Sequence, residues 1–196
     1  YSLGNFMSQA DKQMMAGEMQ SVFDEADCLY SLEVIQAAIS DIAENITEAM
    51  ADKNPIILVV MNGGLVFSGQ LFTQLSFPLQ LDYLHVSRYR NETLGGQLEW
   101  LVEPSIDMTN RHVLVVDDIL DEGHTLKAIL GVCEQMGAAS VHSAVLTDKV
   151  HDRKVTPDFK ADFEGLKVED RFVFGFGMDY QGYWRNAPGI YAVKGL

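Results

Sequence analysis

The chain has 196 residues, 47% of them hydrophobic and 21% charged, which suffices for the core of one globular domain and leaves no room for two large ones. Its 28 acids against 14 bases give a formal charge of −14 with no cluster of Lys or Arg, which argues against a nucleic-acid partner, because binding a phosphate backbone needs concentrated positive charge. Cys28 and Cys133 stand alone and the five histidines lack metal-ligand spacing, so neither a disulfide framework nor a zinc site is indicated; with no apolar run of about 20 residues, no membrane span is expected and the chain reads as cytoplasmic.

Residues 5–30 are polar, acidic and Met-rich, and predict a short helix over 8–20. Leu32, Ile35, Ile39, Ile42, Ile46 and Met50 then recur at spacings of three and four between Glu33, Gln36, Asp41, Glu44 and Glu48. That is one apolar stripe on a helix, with Ser31 at its N-cap, and the stripe belongs to the core or to a subunit interface. Ile56 to Met61 is a continuous apolar run of the kind that forms a strand buried on both faces, stopped by Asn62-Gly63-Gly64 and followed by a helix over 65–75. "LQLDYLHVSRYRNETLGGQLEWLVEP" alternates on both sides of a polar, glycine-rich tip at 91–96, which predicts a hairpin or flexible flap. The strand–turn–helix sequence returns in "VLVVDDILDEGHTLKAIL" from Val113 to Leu130, and a further strand is expected over 141–146. Past residue 165 the glycines multiply, as in short strands and turns. Successive strand–helix units of this kind imply a parallel α/β sheet flanked by helices.

Ligands of such sheets bind beyond the carboxyl ends of the strands. The second unit ends there in Asp117, Asp118 and Asp121, and then leads through Glu122, Gly123, His124 and Thr125 into a helix. A loop over 121–125 presents backbone N–H groups, the Thr125 hydroxyl and the positive helix end to a phosphate. Asp117 and Asp118 can accept hydrogen bonds from sugar hydroxyls and, by way of them, help hold Mg²⁺. The stretch has no Gly-Lys-Ser/Thr and is not a Walker A loop, nor does it carry the dinucleotide fingerprint.

"VLVVDDILDEGHTL" resembles the phosphoribosyl-pyrophosphate signature of the type I phosphoribosyltransferases. Together with "MNGG", "VSRY", Lys149 and "DRFVFGFGMDYQGYWRN", the likeness spans about 55–191 and points to a bacterial 6-oxopurine (hypoxanthine-guanine) phosphoribosyltransferase. The resemblance implies one domain over 1–196, with a core at about 31–150, a flap at 87–97, and a small hood built from 1–30 and 151–196. It implies Asp121 as the base at purine N7, Lys149 as donor to the 6-oxo group, Phe172 stacked on the base and the Val173 backbone at its edge. It further implies Asp179 as a second Mg²⁺ ligand beside Asp117 and Asp118, Arg185 as a clamp on pyrophosphate, Asn62, Gly63 and Gly64 as a pyrophosphate loop with a cis peptide, and Ser87 and Arg88 at the base of the flap.

The implied partners are phosphoribosyl pyrophosphate, a 6-oxopurine, the nucleoside monophosphate and pyrophosphate, in a homodimer or homotetramer, with neither nucleic acid nor membrane involved. Asn62 and His124 occupy positions where several relatives carry Lys, which removes two fixed positive charges. His85, His112, His142 and His151 have no partner that the sequence suggests and are assigned no role. A second reading is a regulatory protein of the same fold that senses phosphoribosyl pyrophosphate or a nucleotide without catalysis. A third keeps the enzyme and changes the base to xanthine, adenine or a pyrimidine, against which Lys149 argues.

Overall fold

The computed structural model describes residues 9–88 and 98–195. In chain order these form α1 (Gln9–Glu25), β1 (Asp27–Tyr30), α2 (Leu32–Met50), β2 (Ile56–Met61), α3 (Gly64–Phe72), β3 (Gln80–Arg88), β4 (Leu98–Val102), β5 (His112–Leu120), α4 (His124–Gln135), β6 (Ser140–Lys149), β7 (Phe163–Val168), β8 (Val173–Phe174) and β9 (Ile190–Ala192). A six-stranded sheet runs β4-β3-β2-β5-β6-β7, parallel throughout except where β4 returns antiparallel along β3. Of the flap expected at 87–97, residues 89–97 lie outside the described residues.

The apolar runs of β2 and β5 are buried because helices cover both faces of the sheet. With side chains alternating at period two, Ile57, Leu114, Val116, Ala144 and Leu146 pack with Ile35, Ile39, Ile42 and Ile46 of α2 and Phe67 and Leu71 of α3. Ile56, Leu58, Val113, Val115 and Val145 pack with Leu126, Ile129 and Cys133 of α4. The isoleucine stripe of α2 is therefore core. Cys133 is core as well, and burial pushes its thiol up to about 11, which leaves it inert. Ser31 occupies the N-cap of α2 but makes no side-chain cap bond; its carbonyl accepts the Ile35 N–H at 3.1 Å.

Both chain ends meet in a second sheet of order β1-β9-β8. Helix α1 leans on it through Phe23, stacked on Trp184 at 4.7 Å, while Trp184 Nε1 donates to the Met19 carbonyl at 2.7 Å. Of the hood expected from 1–30 and 151–196, β7 belongs instead to the main sheet beside β6, and only β8 and β9 join β1 in the second sheet. Two acids act as internal braces. Asp82, buried in β3, accepts from the backbone N–H groups of Ser105 at 2.6 Å and Ile106 at 2.8 Å, tying down the link from β4 to β5. Asp162 accepts from Ser143 N at 2.8 Å and so aligns the entry to β7 with β6.

The order of the strands decides where a ligand fits. From β2 the chain crosses by α3 to β3 on one side, whereas β5 lies on the other side of β2 and continues outward through α4 to β6. The connections thus diverge between β2 and β5, and the loops at the carboxyl ends of these strands part to leave a crevice.

Candidate active site

The crevice has two adjoining lobes. One, of about 390 Å³, is lined by the continuous stretch from Asp117 to Leu126. The other, of about 410 Å³, lies between Asn62 and Gly63 on one wall, Lys149 and Phe172 on another, and Asp179 and Arg185 on a third, with Asp117, Asp118 and Asp121 common to both.

The floor differs from the sequence expectation in one respect. β5 continues through Asp117 and Asp118 to Leu120, because β6 continues beside it and pairs Ile119 with Thr147 and Leu120 with Asp148. The two acids are thus held on strand backbone rather than in a turn. Asp118 N donates to Asp117 Oδ1 at 2.9 Å, and the Asp118 carbonyl accepts the Thr147 hydroxyl at 2.8 Å. Burial raises the Asp117 carboxyl well above the usual carboxylate range, and the adjacent Asp118 charge raises it further; burial also raises Asp118. A half-buried carboxyl beside a buried one calls for hydroxyl donors or a cation.

Above this floor the loop after β2 lies close. The Met61–Asn62 peptide is cis. A β-carbon at Gly63 would collide with the Asp118 carboxylate, and one at Gly64 would stand 2.8 Å from the Val116 carbonyl, so only glycines let the loop and the start of α3 rest on β5. At the other lobe, Gly123 caps α4 with φ +86°, a conformation open to glycine, and the chain turns there so that His124 and Thr125 begin the helix. Glu122 and His124 lie 3.8 Å apart at the rim, and the Glu122 carbonyl accepts Val155 N at 2.7 Å.

Asp121 sits where the lobes join. Lys149 Nζ donates to its Oδ2 at 2.8 Å, and His151 Nε2 lies 2.8 Å from its Oδ1. Burial alone would raise this carboxyl; the bonds from Lys149 and His151 outweigh it and hold Asp121 below its ordinary value, hence ionised. Lys149 is the last residue of β6, not a residue beyond it, which is why it points from the sheet edge into the crevice.

Phe172, 45% exposed, has Tyr180 edge-on at 5.3 Å, and Val173 beside it is buried. An aromatic face left open next to an ionised carboxylate and an ammonium suits a flat, polar heterocycle. Arg185 reaches the Gly177 carbonyl with Nη1 and Asp179 Oδ1 with Nη2, both at 2.6 Å, while Asp179 Oδ2 accepts Gly182 N at 2.7 Å. Asp179 and Arg185 are therefore joined at the crevice wall. Ser87 donates to Glu99 Oε2 at 3.1 Å across β3 and β4; Arg88 ends β3, and its side chain lies outside the described residues.

Three residues missed in the sequence belong to this region. His151, expected to have no partner, is 2% exposed in its side chain against Asp121. Lys154, 10% exposed in its side chain, donates to the carbonyls of Leu120 at 2.8 Å and Asp121 at 2.7 Å and to Asp148 Oδ1 at 2.6 Å, stapling the Asp121 loop to β6. His85 lines the wider lobe. The bonds that tie His151 and Lys154 to Asp121 span some 30 positions, and no local spacing announces them.

Among the described residues no group of three or more His, Cys, Asp or Glu gathers into a metal cage. Mg²⁺ does not need one, as it is commonly held by one or two carboxylates with water and substrate oxygens completing the shell. The all-oxygen donor set of Asp117, Asp118 and Asp179 around one crevice fits such an ion. Among the described residues no helix is long and apolar enough to cross a membrane.

A parallel sheet opening at its switch point, an acid pair leading to a glycine-capped helix, and a second loop laid over those acids form a crevice that offers a helix N-terminus to an anion and carboxylates to hydroxyl groups or a cation. The chain belongs to the phosphoribosyltransferase family: the phosphoribosyl transferase domain model matches residues 26–181. It is 34% identical to the hypoxanthine-guanine-xanthine phosphoribosyltransferase of Tritrichomonas foetus, over 85% of this chain and 90% of that one. It is 33% identical to the hypoxanthine-guanine phosphoribosyltransferase of Bacillus subtilis, over 85% of this chain and 92% of that one. The crystal structure of a hypoxanthine phosphoribosyltransferase from Staphylococcus aureus superposes with a TM-score of 0.80 at 28% identity, covering 86% of this chain and 91% of that one.

Proposed function

We propose that the chain is a purine-salvage enzyme that transfers the 5-phosphoribosyl group of phosphoribosyl pyrophosphate to hypoxanthine or guanine, giving the nucleoside monophosphate and pyrophosphate. The observation that carries this reading is Asp121, an ionised carboxylate bonded to Lys149, which shares its crevice with the open face of Phe172.

The chemistry divides among these residues. As the bond from the anomeric carbon to pyrophosphate breaks, the sugar becomes cationic and negative charge builds on the leaving group. Purine N9 supplies the electron pair for the new bond, and the N7 proton goes to Asp121. Lys149 moves from Asp121 to the 6-oxo oxygen, a switch that a 6-amino group, itself a donor, does not support. Phe172 stacks on the base and the Val173 backbone meets its edge. The 5-phosphate lies on the backbone N–H groups of 122–125, with the Thr125 hydroxyl and the N-terminus of α4. Asp117 and Asp118 take the ribose hydroxyls, and Asn62, Gly63, Gly64 and Arg185 face the pyrophosphate. Mg²⁺, when bound, supplies positive charge to the leaving group, and Asp117, Asp118 and Asp179 are the residues that would hold it. Leu81, Tyr83 and Leu101, apolar yet exposed on β3 and β4, support assembly into a dimer or tetramer.

Titration calorimetry with nucleoside monophosphates tests the base preference directly. IMP and GMP are expected to bind at least about tenfold more tightly than AMP, the order of discrimination one polar contact confers. Equal binding of AMP would contradict the role given to Lys149.

A further inference from the structure

The Asp121 carboxylate is held from two sides, and the two holds differ in kind. Lys149 approaches Oδ2 with a single ammonium at the end of a flexible stem. His151 approaches Oδ1 with a rigid ring that is itself fixed at both nitrogens. Its Nδ1 lies 3.0 Å from the backbone N of Arg153. A backbone N–H can only donate, so Nδ1 is the acceptor and the ring proton sits on Nε2, pointing at Oδ1. The Arg153 segment is anchored in turn by a two-pronged pair with Asp170, at 2.6 and 2.8 Å, two positions before Phe172.

We infer that His151 is a positioning residue for phosphoribosyl transfer: its Nε2–H holds Asp121 Oδ1 in place while Oδ2 exchanges Lys149 for the purine N7–H. The inference rests on the role proposed above for Asp121. Both carboxylate oxygens carry a donor in the structure, and withdrawal of one of them leaves that oxygen more basic and open to the N7 proton. Lys149 can leave, because the 6-oxo oxygen of the purine offers it an acceptor. His151 cannot leave without breaking its bond to Arg153 and exposing a buried ring. Exchange is therefore confined to Oδ2. Without His151, the carboxylate is free to turn with the departing ammonium, and the ion pair persists at the expense of the contact to N7. The bond Asp121–His151 also runs through Arg153 and Asp170 to the stretch that leads through Phe172 into β8, so the proton acceptor and the stacking platform share one frame.

The test combines two substitutions at His151 with one at Asp121. His151→Leu keeps the bulk and removes the donor, whereas the amide nitrogen of His151→Gln reaches the place of Nε2. In the otherwise native enzyme, H151L is expected to lower kcat with hypoxanthine by about tenfold or more, as loss of a hydrogen bond to a charged group does, while KM for phosphoribosyl pyrophosphate changes little. H151Q should restore most of the loss. In an Asp121→Asn background H151L should have little further effect, because its action passes through the carboxylate. Nitrogen NMR of the native protein should show the ring proton of His151 on Nε2, with a resonance that moves in D121N. Native turnover by H151L, an equal loss in both backgrounds, or a proton on Nδ1 would overturn the inference. Should the native protein transfer to no purine at all, it is the reading of the function that fails, and the tautomer and its response to D121N still decide whether His151 holds Asp121.

Discussion

Gly64 offers a sharp test of how the crevice is built. It is the first residue of α3, and a β-carbon added to it would lie 2.8 Å from the Val116 carbonyl oxygen, 3.3 Å from Asp117 Cα and 3.4 Å from Val59 Cγ1. Ordinary contact begins near 3.4 Å, and the closest neighbours are backbone in the middle of a sheet, so the start of α3 must lift by about 0.6 Å. Overpacking of this sort costs about 1–3 kcal/mol, against which Ala gains up to about 1 kcal/mol over Gly in a helix. Gly64→Ala should therefore destabilise by about 1–2 kcal/mol, a fall in Tm of about 2–8 °C for a chain of this size. The same lift moves Asn62 and Gly63 away from Asp117 and Asp118. Since misplacement by about 1 Å can remove a hundredfold of rate, kcat/KM for phosphoribosyl pyrophosphate should fall by about tenfold. Gly69→Ala, on the same helix, is the control. Nothing lies within 4 Å of a β-carbon there, so it should stabilise by up to about 1 kcal/mol and leave the kinetics unchanged. Thermal unfolding and steady-state kinetics of the pair decide the matter. If G64A matched G69A in both, the close seating of α3 on β5 would not be what shapes the crevice.

Asp121→Asn should lower turnover steeply while nucleoside monophosphate affinity changes modestly, because the phosphate cradle at 122–125 is untouched; native turnover in a pyrophosphate-release assay would refute the role of Asp121. Lys149→Gln should narrow the ratio of guanine to adenine activity, and an unaltered ratio would count against it. Asp117 gives a dependence of stability on pH. A carboxyl whose folded pKa lies above its unfolded one binds more protons in the folded state, so stability falls as pH rises through and above the usual carboxylate range. Asp117→Asn removes this term. Without Mg²⁺ or substrate, the Tm of D117N should exceed that of the native protein by a margin that grows from pH 5 to pH 7, at about constant ionic strength. A margin independent of pH would exclude this origin.

What could be read from the sequence was what depends on neighbours along the chain. The isoleucine stripe of α2, the buried run of β2 and the glycine turn before α4 each follow from periodicity or from one backbone conformation, and each lies where it was expected. The boundaries failed where polar residues continue a strand. Asp117 and Asp118 read as a strand end and 147–149 as residues past one, yet β5 and β6 run on through them and satisfy these groups across the ladder and through Lys154. β7 escaped notice because Glu164, Gly165 and Lys167 dilute its pattern at the sheet edge, and Gly165 lies against the Leu146 carbonyl where a side chain would not fit. His151 was missed for another reason. Its meaning comes from Asp121 on a different strand–loop unit and from a backbone N–H two residues on, and neither has a signature in spacing.

As proposed, Asp121, Lys149 and Phe172 form the base site of a 6-oxopurine phosphoribosyltransferase. Pyrophosphate release from phosphoribosyl pyrophosphate with Mg²⁺, measured with hypoxanthine, guanine, xanthine and adenine one at a time, tests it most directly. Release is expected with hypoxanthine or guanine and none above background with adenine. Release with adenine at a comparable rate would contradict the role of Lys149, and tight binding of phosphoribosyl pyrophosphate with no release in the presence of any base would mark the chain as a sensor rather than an enzyme.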